Sequence, residues 1–462
     1  MREERLTIYP FEDMQIQNYK STQEANVHAR AEVSGYIPFG RKEEYLEAGK
    51  KRTWVKVAAV SDEGETILFY GIMEQLRLEI KAGVCMVKMD LCSGTRLMDI
   101  GEHTRSFQDK ALAYSDVLDI CGNEYKDMKR IMAEAKGKTI DRFIMQYHET
   151  DWEFIKRLAA MNHTAVFADC VTKGEKYYFG IPDRKAVKEE LPGEYRMQYD
   201  MQVYRDKKDH NRSVCAEDTI SYILESRDIH QIGDRKMIDG KELFIWKMES
   251  CLKGNELYHT CYMKLRSGFQ TESYDNERLT GVSLLGKVVG VKEEKVQISI
   301  NSDENKEKCG NKWYAYATNY SSADGTGWYC MPEKGDTVRL YFPMPKEEDA
   351  YVVSAYHEEG ALLRTHPECK FWRNKEGKEI RLSPGQILLT NNNGTYIELS
   401  DEDGIEVVSQ GSVTVRTSEM LSISSSNASI EMNAPGKIRL RQGNSEMKLG
   451  GDLRMQGAKI RL

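Results

Sequence analysis

From Gly404 to Leu462 the sequence falls into consecutive eights: GIEVVSQG, SVTVRTSE, MLSISSSN, ASIEMNAP, GKIRLRQG, NSEMKLGG and DLRMQGAK, then a terminal IRL. Each unit carries an alternating apolar pair: Ile405/Val407, Val413/Val415, Leu421/Ile423, Ile430/Met432, Ile438/Leu440, Met447/Leu449, Leu453/Met455 and Ile460/Leu462. Alternation at period two describes a strand with one dry face. The Gly, Asn, Ser and Pro residues between pairs mark bends.

The short unit restricts what can be built. Eight residues give about 26 Å of contour, too little for one chain to close a coil around its own side chains. Single-chain solenoids use units of roughly 20 residues or more. Three chains wound together supply about 24 residues per layer and leave no free lateral edge, because every strand pairs with another subunit. The expectation is a C-terminal intertwined triple-stranded β-helix in a homotrimer, with the pairs from Ile405/Val407 to Leu453/Met455 on the shared axis and trimerisation inseparable from folding. The alternative is a series of short antiparallel strands in a conventional sandwich. Against it stand the regular beat and the absence of any aromatic, His or Cys from 404 to 462.

At 462 residues the chain exceeds one core and implies several domains. The fold class read from periodicity is all-β with a small helical insert. Residues 1–100 read as a first β-barrel and 166–270 as a second, with 101–165 as helical insert and connection between them. Within the insert, a helix is expected from Ser106 to Cys121, and another from Asp151 to Asn162 with Asp151 as its cap. Residues 271–281 read as a polar linker and 282–357 as a small closed barrel of the oligonucleotide/oligosaccharide-binding type. A connector spans 358–386, and the shared prism 387–462.

Little here suggests chemistry. A net charge of -7 with no basic block argues against nucleic acid. No signal-peptide core or run of 18 apolar residues is present, so the chain is expected to be made in the cytoplasm. Ten scattered cysteines read as buried thiols. His259-x-Cys261 and His357-Glu358-Glu359 lack further ligands at a metal spacing, and no cofactor is implied. Glu347-Glu348-Asp349 and Asp401-Glu402-Asp403 read as wet turns, not as an opposed carboxylate pair. The expected role is mechanical and non-enzymatic.

HETDWEFIKRLAAMNHTAVFAD, from His148 to Asp169, resembles a stretch of the central spike proteins of contractile injection systems: the VgrG proteins of type VI secretion and the hub-and-spike components of contractile phage tails. Glu149, Asp151, Trp152, Phe154, Arg157 and Leu158 carry the match. GWYCMPEKGDTVRLYF is similar to a signature of their small barrel, through Gly327, Trp328, Pro332, Gly335, Asp336, Val338 and Phe342.

The resemblance implies a homotrimer whose paired barrels form a hub against a hexameric inner-tube ring among baseplate proteins. The small barrel would be a neck, with Trp328, Pro332 and Gly335 structural in it. The prism would point at the target membrane, and Ile460 and Leu462 would seat a PAAR-like tip protein. Any effector would bind noncovalently. The assembly would sit in the cytoplasm and be ejected across the envelope on contraction, or form part of a released particle. The rival readings are a trimeric receptor- or glycan-binding fibre and an envelope-degrading hydrolase.

Overall fold

A computed structural model describes residues 5–62, 64–184, 194–209, 215–306, 310–357, 364–456 and 459. The chain divides into two compact units, Met1–Glu358 and Glu359–Leu462.

The first unit is built on an eleven-stranded sheet. Its order runs Arg5–Tyr9, Trp54–Ser61, Gly64–Lys81, Val84–Ser93, Arg30–Ile37, Gln15–Glu24, Lys241–Lys253, Glu256–Lys264, Ile220–Ser226 and Arg196–Tyr199, with Arg235–Ile238 also pairing Lys241–Lys253. Two cores lie on it, one around Tyr19, Val57, Phe69 and Trp152, the other around Leu243, Ile245 and Met263. The first draws on the expected insert as well, through Phe107, Leu118, Ile144 and Phe154, and the second mainly on the strands from Ile220 to Lys264. The halves are not separately closed, however: Gln15–Glu24 pairs antiparallel with Lys241–Lys253, Lys247 opposite Glu24 and Cys251 opposite Lys20, so one ladder crosses from half to half.

Four helices are described: α1 (Lys42–Gly49), α2 (Tyr114–Gly122), α3 (Asp151–Met161) and α4 (Met201–Asp209). Helix α2 buries the expected face of Tyr114, Val117, Leu118 and Cys121, but begins eight residues later than Ser106. The first two of those positions, Ser106 and Phe107, belong to a strand, Glu102–Phe107, which pairs with Ile144–Thr150. Helix α3 also corrects the reading of its cap. Thr150 Oγ1 accepts from the Glu153 amide at 3.1 Å while Glu153 Oε2 accepts from the Thr150 amide at 3.1 Å, a reciprocal capping box. Asp151 is thereby freed for a buried role.

Ser283–Lys292, Lys295–Ile300, Tyr314–Ala317, Tyr351–Tyr356 and Thr337–Tyr341 close into a five-stranded barrel. Its core of Val288, Val296, Ile298, Tyr314, Val338, Leu340, Phe342 and Val352 takes in Phe143 and Met145 from outside the barrel. Barrel and sheet therefore share apolar packing. Residues 271–281 are strapped down and do not form a free linker: Leu279 is in the barrel core, and Asn276 Nδ2 donates to the Tyr147 carbonyl at 2.8 Å. Of the thiols, Cys85, Cys92, Cys121, Cys170 and Cys261 are buried, whereas Cys215 and Cys330 are exposed.

The second unit holds two antiparallel sheets. Lys370–Arg373, Glu379–Ser383, Gln386–Thr390, Tyr396–Ser400 and Gly404–Val408 form a five-stranded meander. Ile438–Gln442, Ser445–Leu449 and Leu453–Gln456 form the other. The regular strands thus begin inside the expected connector, ahead of residue 387.

Candidate functional site

In the first unit the matched residues meet where helix α3 runs between sheet and barrel. Arg157, fully buried, donates through Nε and Nη2 to both oxygens of Glu149 at 2.8 and 2.7 Å. It also donates through Nη1 to Glu347 at 2.7 Å and through Nη2 to the Met145 carbonyl at 2.8 Å. Glu149 precedes α3 by two residues, while Glu347 lies in a 3-10 turn just before the last barrel strand. Glu347 is only 2% exposed, so the reading of Glu347-Glu348-Asp349 as a wet turn fails at its first residue. Sequence reasoning missed it because its partner is 190 residues away. The only local signal is an acid one turn before an apolar strand.

Asp151, also fully buried, anchors a second network. Its Oδ1 accepts from Arg105 Nη1 at 2.5 Å and Gln146 Nε2 at 3.1 Å, and its Oδ2 from the Tyr125 hydroxyl at 2.8 Å. Trp152 stacks on His28 with ring centroids 5.0 Å apart, and Phe154 on Phe107 at 5.6 Å. The barrel reaches back through the loop after Lys295–Ile300. Asp303 Oδ1 accepts from the Ser106 amide at 3.0 Å, Asn305 Nδ2 donates to the Ser106 carbonyl at 3.1 Å, and Glu304 exchanges bonds with the Thr104 backbone at 2.9 Å.

These contacts are a mechanical clamp. Every charged group at the centre of the clamp has an opposite charge or a hydrogen-bond partner, as burial demands. His103, Glu124 and Glu304 do gather within 4.8 Å. Arg105 Nη2, though, donates to Glu124 at 2.8 Å and its Nε lies 3.5 Å from Glu304, so the positive charge there is a guanidinium. His259 and Cys261 lie in the sheet core, where Ser250 Oγ is 2.7 Å from His259 Nδ1 and burial pushes the imidazole down to about 4.

Arg157 serves two carboxylates, so the cluster carries surplus negative charge. Burial pushes the Glu149 carboxyl up, with Arg157 opposing the shift. A carboxyl that binds its proton more tightly when folded contributes stability present at low pH and lost as pH rises through the folded value. Glu149→Gln keeps a one-to-one Arg157–Glu347 pair and removes that loss. Its melting temperature relative to the parent is therefore expected to rise as the pH is raised from below the ordinary carboxylate range to above it, measured by thermal denaturation at matched ionic strength; a flat difference would refute the surplus charge.

The barrel signature is placed as follows. Pro332 is buried. Gly335 has φ +97°, in a turn where its amide donates to the Val288 carbonyl at 2.8 Å and Glu333 N donates to Asp336 Oδ2 at 2.7 Å; a side chain there is strained. Val338 and Phe342 are in the core. Trp328 is not: it is 49% exposed, in the hairpin loop before Pro332.

The second unit places the tail pairs. Across the meander the register aligns Trp372, Ile380, Leu389, Ile397 and Val407 in one row, and Leu382, Ile387, Leu399 and Ile405 in the next. Cross-strand partners share a face, so nine large apolar side chains form one continuous patch. All are exposed in the single chain, from 39% for Ile397 to 74% for Ile405. The second sheet repeats the pattern with rows Ile438, Leu449, Leu453 and Leu440, Met447, Met455. Between the sheets Val413, Val415, Leu421, Ile423, Ile430 and Met432 alternate through residues that join no strand and are at least half exposed. Within one chain the eights are thus strand-and-turn hairpins or unpaired segments. Ile460 and Leu462 lie outside the described residues.

No protein-family model matches the sequence, and no curated protein does. Solved structures do. The Escherichia coli c3393 protein, described as a component of the type VI secretion system with structural similarity to the T4 bacteriophage tail proteins gp27 and gp5, superposes with a TM-score of 0.54 at 12% identity, covering 76% of this chain and all of that one. A chain of the lidless PdpA–VgrG complex gives 0.55 at 9% identity, covering 86% and 94%. The chain has the VgrG-type tail-protein fold. A chain of the half-lidded Francisella PdpA–VgrG complex gives 0.53 at 9% identity over 88% of each. On the VgrG-type fold the matched sequence stretch acquires a physical meaning: Glu149, Asp151 and Arg157 are the ionic part of the clamp, and Trp152, Phe154 and Leu158 its packed part.

Proposed function

We propose that three copies of this chain form the non-enzymatic hub and spike of a contractile injection machine, coupling a hexameric inner tube to a membrane-piercing needle. One observation carries the reading: the aliphatic rows of the second unit, Ile380, Leu389, Ile397 and Val407 beside Leu382, Ile387, Leu399 and Ile405, are 39% to 74% exposed in the single chain. A soluble monomer rarely leaves so large a contiguous apolar patch open. Three identical sheets turned inward would cover their patches with one another, and the unpaired stretch 409–437 would gain the ladder it lacks. Ile405, Val407, Val413, Val415, Leu421, Ile423, Ile430, Met432, Ile438, Leu440, Met447, Leu449, Leu453 and Met455 are the side chains assigned to the common axis.

The fold shared with the type VI component and the VgrG complexes supports the rest of the reading. The eleven-stranded sheet is assigned to the hub, facing the inner tube and baseplate proteins, and the five-stranded barrel to the neck. The C-terminal residues, with Ile460 and Leu462, are assigned to a PAAR-like tip protein. A noncovalently held effector travels with the spike, which forms in the cytoplasm and touches the target membrane on ejection. Electron microscopy of the purified chain tests the reading. An elongated particle with threefold symmetry is expected, and a globular monomer would overturn it.

A further inference from the structure

A polar seam divides the two cores of the large sheet. Along Glu256–Lys264 the buried side chains are Leu257, His259, Cys261 and Met263; Leu257 belongs to the first core, Cys261 and Met263 to the second, and His259 stands between them. Lys241–Lys253 repeats the order, with Leu252 packed on the first core, Met248 in the second and Ser250 between. The register sets Ser226, His259, Ser250 and Ser21 in one row across four strands. That row runs over the ladder joining the two halves, and Ser21, Ser250 and His259 are all buried in it. His259 Nδ1 is 2.7 Å from Ser250 Oγ, and among the described residues its Nε2 has no hydrogen-bond partner. His230 is buried beside it, in the loop between Ile229, packed on the first core, and Ile232, in the second. Its Nε2 is 3.0 Å from Ser226 Oγ, which accepts from the Asp228 amide at 3.1 Å.

We propose that His230 and His259 form an acid-operated latch: neutral, they close the seam, and on taking up protons they part the ladder of Gln15–Glu24 on Lys241–Lys253. A charge on His259 would sit among Leu, Met and Ser side chains, and a second on His230 would oppose it. The charged groups facing the pair compensate little. Asp234 Oδ2 is 4.0 Å from His230 Nδ1 and Asp228 lies on the same loop, but Lys236 of Arg235–Ile238 opposes them. The Cys261 thiol, pushed up to about 12 by burial, stays neutral. Glu225 with Lys253, and Glu256 with Arg227, are exposed and pair with one another. Beyond Gln23, Asp169 is held by the Val171 amide at 2.9 Å and the Thr172 hydroxyl at 2.7 Å, and Arg184 donates to the Tyr178 hydroxyl at 2.9 Å. Burial holds both imidazoles below the ordinary value of 6.5, His259 at about 4. A histidine depressed in the fold gives stability that is whole above 6.5 and lost as pH falls toward the folded value. Through His259 alone the parted form gains roughly a hundredfold in population between pH 7 and pH 4.

The test is amide hydrogen exchange of the full chain, read by mass spectrometry from pH 7 to pH 4 and corrected for intrinsic rates. Peptides from Gln15–Glu24 and Lys241–Lys253 are expected to lose protection at least tenfold toward pH 4, ahead of the barrel strand Ser283–Lys292. His259→Asn keeps a polar side chain opposite Ser250 without a titrating group, and should restore most of the protection. His163→Asn, at an exposed histidine of the same unit, should behave like the parent. Equal protection of the parent ladder at both ends of the range, or the same loss in His259→Asn, would overturn the proposal. Simultaneous opening of the barrel strand would mean general acid unfolding and overturn it too. Should His259→Asn fail to fold at pH 7, the parent decides through exchange of the histidine C2 hydrogens. A His259 midpoint below 6.5 that coincides with the parting of the ladder is then expected, and an ordinary midpoint with the ladder closed would refute the latch.

Discussion

Arg157→Met is expected to destabilise the first unit by about 3–5 kcal/mol, the usual cost of stranding a buried charge by removing its partner. The substitution leaves Glu149 and Glu347 facing each other without the guanidinium that now holds both. The Met145 carbonyl loses its donor as well. Met keeps the apolar stem but ends short of the guanidinium carbon, which lies 5.2 Å from the Phe154 ring centroid, so a smaller packing loss adds to the electrostatic one. Chemical denaturation of the full chain, followed by Trp fluorescence, reads the change. The triple variant Arg157→Met, Glu149→Gln, Glu347→Gln should recover much of it, because no unpaired charge then remains in this cluster. Should the single variant unfold like the parent, the clamp would contribute nothing to stability.

That network also marks where the sequence stops being readable. Glu149, Asp151 and Arg157 stand within nine residues, and their spacing on and before one helix is visible in the chain. Neither Glu347 nor Arg105 could be attached to them, since each pairing spans a long loop of sequence and obeys no period. Asp151 looked like a cap because caps and buried acids have the same residue type; Thr150, one place earlier, has the geometry. Strand Glu102–Phe107 was hidden for a different reason. Its six residues, EHTRSF, alternate weakly, and what fixes them as a strand is the Ile144–Thr150 partner together with the Asp303–Asn305 loop.

The halves of the large sheet were legible as separate runs of strands, but the ladder joining them was not, because the polar residues from Lys20 to Glu24 say nothing about what lies beside them. In the tail the alternation is plain in the sequence, and strands form on it at Gly404–Val408, Ile438–Gln442, Ser445–Leu449 and Leu453–Gln456, while residues 409–437 join no strand in the single chain. The beginning of the tail was misplaced only because Trp372, Ile380 and Leu382 are set among Lys, Arg and Glu, which disguised two strands of the meander as a connector.

The uncovered rows yield the second large effect. Ile387→Asp with Leu389→Asp is expected to abolish assembly of the chain while leaving the first unit folded. Both side chains sit on the central meander strand, opposite Leu382 and Leu399 in one row and Ile380 and Ile397 in the other. In a threefold arrangement two substitutions place six carboxylates around one narrow axis, where each is desolvated and repelled by the others. The apolar gain they replace is about 1 kcal/mol for each half-exposed Ile or Leu covered, so repulsion added to its loss exceeds what a marginal assembly tolerates. In one isolated chain the same positions are exposed, and the double variant should cost little. The contrast is diagnostic: light scattering should give three chain masses for the parent and one for the variant, with the Trp fluorescence unfolding transition of the first unit unmoved. Lys substitutions on the opposite face, at Glu398 and Glu406, which pair with each other across the last two meander strands, should leave the trimer intact. Equal disruption from both faces would mean that the alternation of the tail does not decide which side is shared.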